Sequence, residues 1–104
     1  MNKLVIYTLP EQGQDDDDAA VIFIEQGKTE IVVSSDDKEY VDWYLEIIPA
    51  SSAFEEISKD KMALRRIVSS MYGGNVLSVE DGDMPEAEFS RLFSEAKYKE
   101  NIKL

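Results

Sequence analysis

Residues 52–74, SAFEEISKDKMALRRIVSSMYGG, carry the longest helical pattern in the chain. Phe54, Ile57, Leu64, Ile67, Val68 and Met71 recur at three- and four-residue steps, so they fall on one stripe that must be buried against something. Ser52 with Glu55 has the form of a capping box, which satisfies two backbone donors of the first turn. Gly73 and Gly74 have no Cβ to oppose the left-handed backbone that closes a helix. Lys59, Asp60 and Lys61 interrupt the stripe, and a break there would let Ser58 or Asp60 cap a second helix. The surface that this stripe covers is expected to be a small sheet.

Strand patterns lie on both sides of it. Residues 3–9 (KLVIYTL) are rich in β-branched and aromatic side chains and stop at Pro10. Residues 20–26 (AVIFIEQ) and 29–34 (TEIVVS) flank Gly27 and Lys28, a two-residue connection with glycine first, as a type II′ hairpin prefers. That turn sets Ile24 opposite Ile31, Phe23 opposite Val32 and Ile22 opposite Val33, so both faces of the hairpin are expected to be covered. It also sets Glu25 opposite Glu30, a like-charge pair expected at an exposed end. Residues 75–79 (NVLSV) read as a short strand returning to the sheet. Residues 80–83 make a turn, and Asp83 is placed to cap a last helix with Glu86 as its box partner and Pro85 in the first turn. Phe89, Leu92, Phe93 and Ala96 supply that helix's buried face; Lys97, Lys99 and Lys103 suit its negative end, and the tail to Leu104 is expected to fray.

Residues 35–48 (SDDKEYVDWYLEII) fit two periods. As a strand, Val41, Trp43, Leu45 and Ile47 share a face. As a helix, Tyr40, Val41, Tyr44, Leu45, Ile47 and Ile48 gather on one side with Glu39, Asp42 and Glu46 opposite. Ser35 as a cap, and Asp36 and Asp37 at the positive end, favour helix, which Pro49 should end. The whole reads as an α+β single domain over residues 1–104, with a mainly antiparallel sheet of three or four strands packed against two or three helices. Residues 11–18 are expected to form a mobile acidic loop, because four consecutive aspartates repel one another.

The charge balance narrows the function classes. Lys and Arg number 11 against 22 Asp and Glu, a net −11, which repels nucleic-acid phosphates and anionic membranes and attracts basic surfaces. Residues 1–52 carry −9 of it, residues 53–104 only −2. There is no cysteine, hence no disulfide or thiolate chemistry, which suits the reducing cytoplasm, the expected location. With no signal-peptide core and no apolar run long enough to span a bilayer, no membrane role is expected.

Zero histidines removes the usual general base and the commonest zinc ligand, so no histidine-based triad or typical structural zinc site can be assembled. Gly73-Gly74 lacks the pattern and lysine of a phosphate loop. Asp15 to Asp18 are adjacent rather than alternate, unlike an EF-hand, and the acids around Gly82 already have turn and cap roles. No enzymatic activity, cofactor or metal is expected. What remains is recognition through acidity. The expected function is a small protein-binding module, an inhibitor or nucleic-acid mimic that occupies a basic surface of a partner protein. The candidate contacts are Asp15, Asp16, Asp17, Asp18, Asp36, Asp37, Glu39, Asp42 and Trp43, with Trp43 placed either to pack into the core or to anchor the partner. The alternative is a structural subunit or homodimer that pairs through an apolar sheet edge, and a divalent-cation binder is a third, weaker option. Lys59, Lys61, Arg65 and Arg66 form a basic cluster expected to pair with the chain's own carboxylates, Glu55 with Lys59 among them.

Overall fold

The computed structural model describes residues 2–7, 21–60, 63–72 and 75–104. Asp15, Asp16, Asp17 and Asp18, the strand stop at Pro10, Lys61 and the Gly73-Gly74 helix end lie outside the described residues. The elements run β1 (Asn2–Tyr7), β2 (Val21–Gln26), β3 (Glu30–Ser35), α1 (Lys38–Ala50), α2 (Phe54–Lys59), α3 (Ala63–Tyr72), β4 (Asn75–Ser78), α4 (Glu86–Glu95) and β5 (Tyr98–Lys103). The class is α+β, but among the described residues there are five strands and four helices, more than expected. The sheet order is β4-β1-β2-β3-β5, with every neighbouring pair antiparallel.

Strand alternation gives the sheet two apolar faces. Leu4, Ile6, Ile22, Ile24, Ile31 and Val33 point to one face, where they meet Val41, Tyr44 and Ile48 of α1, Ile57 of α2 and Leu64, Ile67 and Val68 of α3. Val5 and Phe23 point to the other, where Met84, Phe89 and Phe93 cover them. Helices therefore flank both faces, three on one side and α4 on the other.

The long helix does break. Asp60 adopts an extended backbone (φ −127°, ψ 115°) at the end of α2, and α3 starts at Ala63. A straight helix of this length would run roughly 34 Å at 1.5 Å per residue, whereas a six-residue strand spans about 20 Å. With the bend at Asp60, Ile57 of α2 and Leu64 of α3 both pack into the same cluster on the sheet. The capping box is absent: α2 begins after Ala53 with no side-chain cap, and it is Ser51 Oγ that accepts from the Ala53 N–H (3.2 Å). At the sheet side Gln26 Nε2 donates to Ile57 O (2.9 Å) while Asn2 Nδ2 donates to Gln26 Oε1 (3.5 Å), a buried amide link that ties α2 to β2 and β1.

The hairpin forms, but its register is two residues away from the expected one. Ile24 faces Val33, Phe23 faces Ser34 and Glu25 faces Val32. Gly27 N donates to Glu30 O (2.8 Å), and Gly82 is the only positive-φ residue among those described, so Gly27 does not make a type II′ turn. A shift of two keeps every side chain on its face, which is why the hydrophobic pattern cannot distinguish the two registers. The shift also removes the Glu25–Glu30 pair and puts Glu30 opposite Lys103 of β5.

Three helix and tail readings change as well. Pro49 lies inside the last turn of α1, which runs on to Ala50 and closes with Ser51 N donating to Ile48 O (3.1 Å). Asp83 does not cap α4; its carboxylate accepts from Ser78 N (2.9 Å) and pairs with Arg65 (3.5 Å), while Pro85 takes the cap position. Residues 98–103 do not fray, because they pair along β3 as β5. Arg65 also pairs with Asp81 and Arg66 with Asp60 (3.0 Å), whereas no Glu55–Lys59 pair forms.

Lys3 closes the β1 end of the turn before α4. Its backbone N–H donates to both Glu80 carboxylate oxygens (3.0 Å each), and its ammonium pairs with Glu86. The hydrogen bond to Glu86 holds Lys3 above its ordinary 10.5, and the same contact holds the Glu86 carboxyl below 4.5. A lowered carboxyl contributes stability above its unfolded value and loses it as pH falls through the folded one; a raised lysine contributes below 10.5 and loses it as pH rises through its folded value. Glu86→Gln should therefore shrink the drop in Tm from neutral pH to about pH 3 and to about pH 11, measured by thermal melts against the wild type. An unchanged pH profile would rule the pair out as a contributor.

Candidate surface on the exposed face of α1

Asp37 starts α1: its Oδ1 accepts from Glu39 N (2.9 Å), while Ser35 Oγ accepts from Asp37 N (3.1 Å) one step earlier. Asp36 turns the other way and accepts from Lys97 N (2.9 Å), tying the start of α1 to the start of β5. Both aspartates are exposed, yet each has a local structural task. The pattern that follows splits α1 into two faces. Val41, Tyr44 and Ile48 are buried, with Tyr40 and Leu45 half-buried beside them.

The opposite face is the candidate site. Glu39, Asp42, Trp43, Glu46 and Ile47 are all exposed, and their three- and four-residue spacing makes them neighbours on the helix surface. Trp43 is 38% exposed and Ile47 39%, the two largest exposures of big apolar side chains among the described residues. They stand one turn apart, at i and i+4, where Cβ atoms are about 5–6 Å apart. Glu39, Asp42 and Glu46 form the adjacent row, and after Lys38 the helix carries no basic side chain. The result is a small apolar patch bordered by carboxylates on a rigid element.

The structure thus brings together Glu39, Asp42 and Trp43 of the expected residues, and places Asp36 and Asp37 at the helix start with backbone donors. It adds Glu46 and Ile47, which sequence reasoning missed as contacts. Ile47 reads as buried because the helical stripe from Tyr40 to Ile48 has the pattern of one apolar face. Its width was the available signal: six apolar positions spread over nearly half the helix, more than one sheet contact covers.

Among the described residues no group of three or more carboxylates is arranged to hold a metal ion, and no helix is long and apolar enough to cross a membrane. Comparison with known proteins finds no matching family model, no similar curated protein and no similar solved structure.

Proposed function

We propose that the protein is a binding module that docks the exposed face of α1 onto a basic surface of a partner protein. The observation that carries this reading is the exposed Trp43–Ile47 pair beside Glu39, Asp42 and Glu46. Tryptophan in a desolvated pocket is a common interface anchor, and surrounding carboxylates steer a cationic partner and fix its register. The net charge of −11 adds a long-range attraction of the same sign. Blocking a basic groove in this way would make the module an inhibitor of whatever uses that groove, including a nucleic-acid-binding protein.

The test compares wild type with Glu39→Gln/Asp42→Asn/Glu46→Gln as immobilised baits in native-host extract. Capture runs at about 0.05 M and about 0.5 M salt, where the Debye length falls from above 10 Å to a few ångströms. A basic protein retained by the wild type at low salt, and lost both at high salt and on the neutralised bait, is the expected result. Equal retention on both baits, or retention that ignores salt, would refute the reading.

A further inference from the structure

The second surface is the outer edge of β5. Leu104 N donates to Thr29 O (2.8 Å), and the β3–β5 register runs from Glu30 opposite Lys103 to Ser35 opposite Tyr98. Antiparallel ladders alternate bonded and non-bonded pairs. Residues 98, 100, 102 and 104 therefore turn their backbone groups to β3, and Lys99, Asn101 and Lys103 turn theirs outward. The side chains of those same three residues lie on the α4 face of the sheet, as the Lys99 ammonium 4.6 Å from the Phe93 ring centre confirms. Among the described residues no strand pairs with this edge.

The lysines around it form no ion pair among the described residues, and the one carboxylate opposite them, Glu30 across from Lys103, accepts from Asn101 Nδ2 (2.7 Å). Lys3, Arg65, Arg66 and Arg91 form ion pairs, whereas Lys28, Lys38, Lys59, Lys97, Lys99 and Lys103 form none among the described residues. Lys28 and Lys59 meet Leu104 around a recess of about 280 Å³ at the far end of β5. In a chain with twice as many acids as bases, five of the six lysines without ion pairs among the described residues, all but Lys38, follow one edge.

We infer that the β5 edge is a docking site for an extended acidic segment of a partner protein, which adds to the sheet as an antiparallel sixth strand. Main-chain bonds to Lys99, Asn101 and Lys103 supply the register. Residues directly opposite share a face, so carboxylates at i and i+4 of the incoming strand fall beside Lys103 and Lys99, with a small polar residue at i+2 beside Asn101. A second copy fits the edge poorly. The two-fold registers that use the whole strand set Glu100 against its own copy or Lys99 against Lys103 of the copy, both like-charge pairs. A polynucleotide would meet the lysines but leave the outward backbone groups unused, and the net −11 repels it. This surface is separate from the α1 face, so either reading can fail without the other.

The probe is a fluorescein-labelled peptide with Asp at i and i+4, Thr at i+2 and Val between, read by fluorescence anisotropy against the full chain. The expected result is saturable binding that weakens about tenfold or more with Lys99→Glu/Lys103→Glu, and that is lost when the peptide's edge-facing amides are N-methylated. A peptide with Lys in place of Asp should bind the charge-reversed variant, which also shows that this variant is folded. No binding of the acidic peptide, equal binding by both proteins, or indifference to N-methylation would overturn the inference. Tighter binding of a single-stranded oligonucleotide than of the peptide would overturn it in favour of a phosphate site. Concentration-dependent self-association in sedimentation, lost on charge reversal, would overturn it in favour of a second copy.

Discussion

Phe89→Ala is expected to lower the free energy of unfolding by about 3–5 kcal/mol, read as a fall in the urea midpoint at unchanged m-value. The ring is fully buried, stacks on Phe93 (centroids 5.5 Å apart, planes at 28°) and takes Phe23 edge-on (6.3 Å, 75°). It is thus the centre of the cluster that covers the second face of the sheet. Truncation removes the transfer energy of the ring and also leaves a cavity that α4 closes only in part, because the opposing strand residues are fixed in the sheet. The α4 N-terminus has no side-chain cap bond, and its polar ties to the sheet are the Lys3–Glu86 pair, Ser34 Oγ donating to Phe93 O (3.2 Å) and the Lys99 ammonium over the Phe93 ring (4.6 Å). A domain of this size typically has 5–15 kcal/mol in total, so the loss should be a large fraction of it. A change below about 1 kcal/mol would mean that α4 does not seal this face.

Trp43→Ala combined with Ile47→Ala should act mainly on binding: weaken the proposed partner complex about 30-fold or more while costing less stability than Phe89→Ala. Both side chains are more than a third exposed, so the free protein loses less buried area than at a core position such as Phe89. The gain on docking comes from burying them in the partner, where an anchor of this type contributes about 2 kcal/mol or more. Trp43 is the only tryptophan, so its own emission reports the event. Wild-type fluorescence should shift to the blue as the partner is titrated in, and the variant's affinity can be followed by calorimetry. An unshifted emission with intact binding would move the contact away from α1.

Much of the scaffold was legible because it follows from local pattern. The β2–β3 hairpin, the return strand β4, the α1 helix and the Phe89/Phe93 face of α4 each rest on a period or a turn that a single segment displays. The missed features depend on distant partners. The hairpin register obeys the same alternation in two forms, and the choice that avoids Glu25 against Glu30 became visible only with β5 in place. Asp83 has the spacing of a cap, but the Ser78 N–H and Arg65 compete for the same carboxylate. Of the candidate contacts, Glu39, Asp42 and Trp43 could be grouped once a helix was assumed, whereas the exposure of Ile47 depends on how far the sheet extends beneath α1.

What the sequence determined alone is what composition and short-range spacing impose: a strongly acidic α+β domain, a β-hairpin core, an amphipathic α1 and no histidine or cysteine chemistry. What only the tertiary structure decided is the fate of residues 52–74 and of the tail. The stripe in 52–74, interrupted at Lys59 to Lys61, allows one helix or two; a single helix of that length would outrun strands of six residues, and the chain turns at Asp60 and packs as α2 and α3. The tail carries lysines suited to a helix end, yet β3 would otherwise expose its backbone groups, and pairing satisfies them with β5. The reason is the same in both cases. Local sequence sets what a segment can become, and the size and open edges of the sheet select among those states.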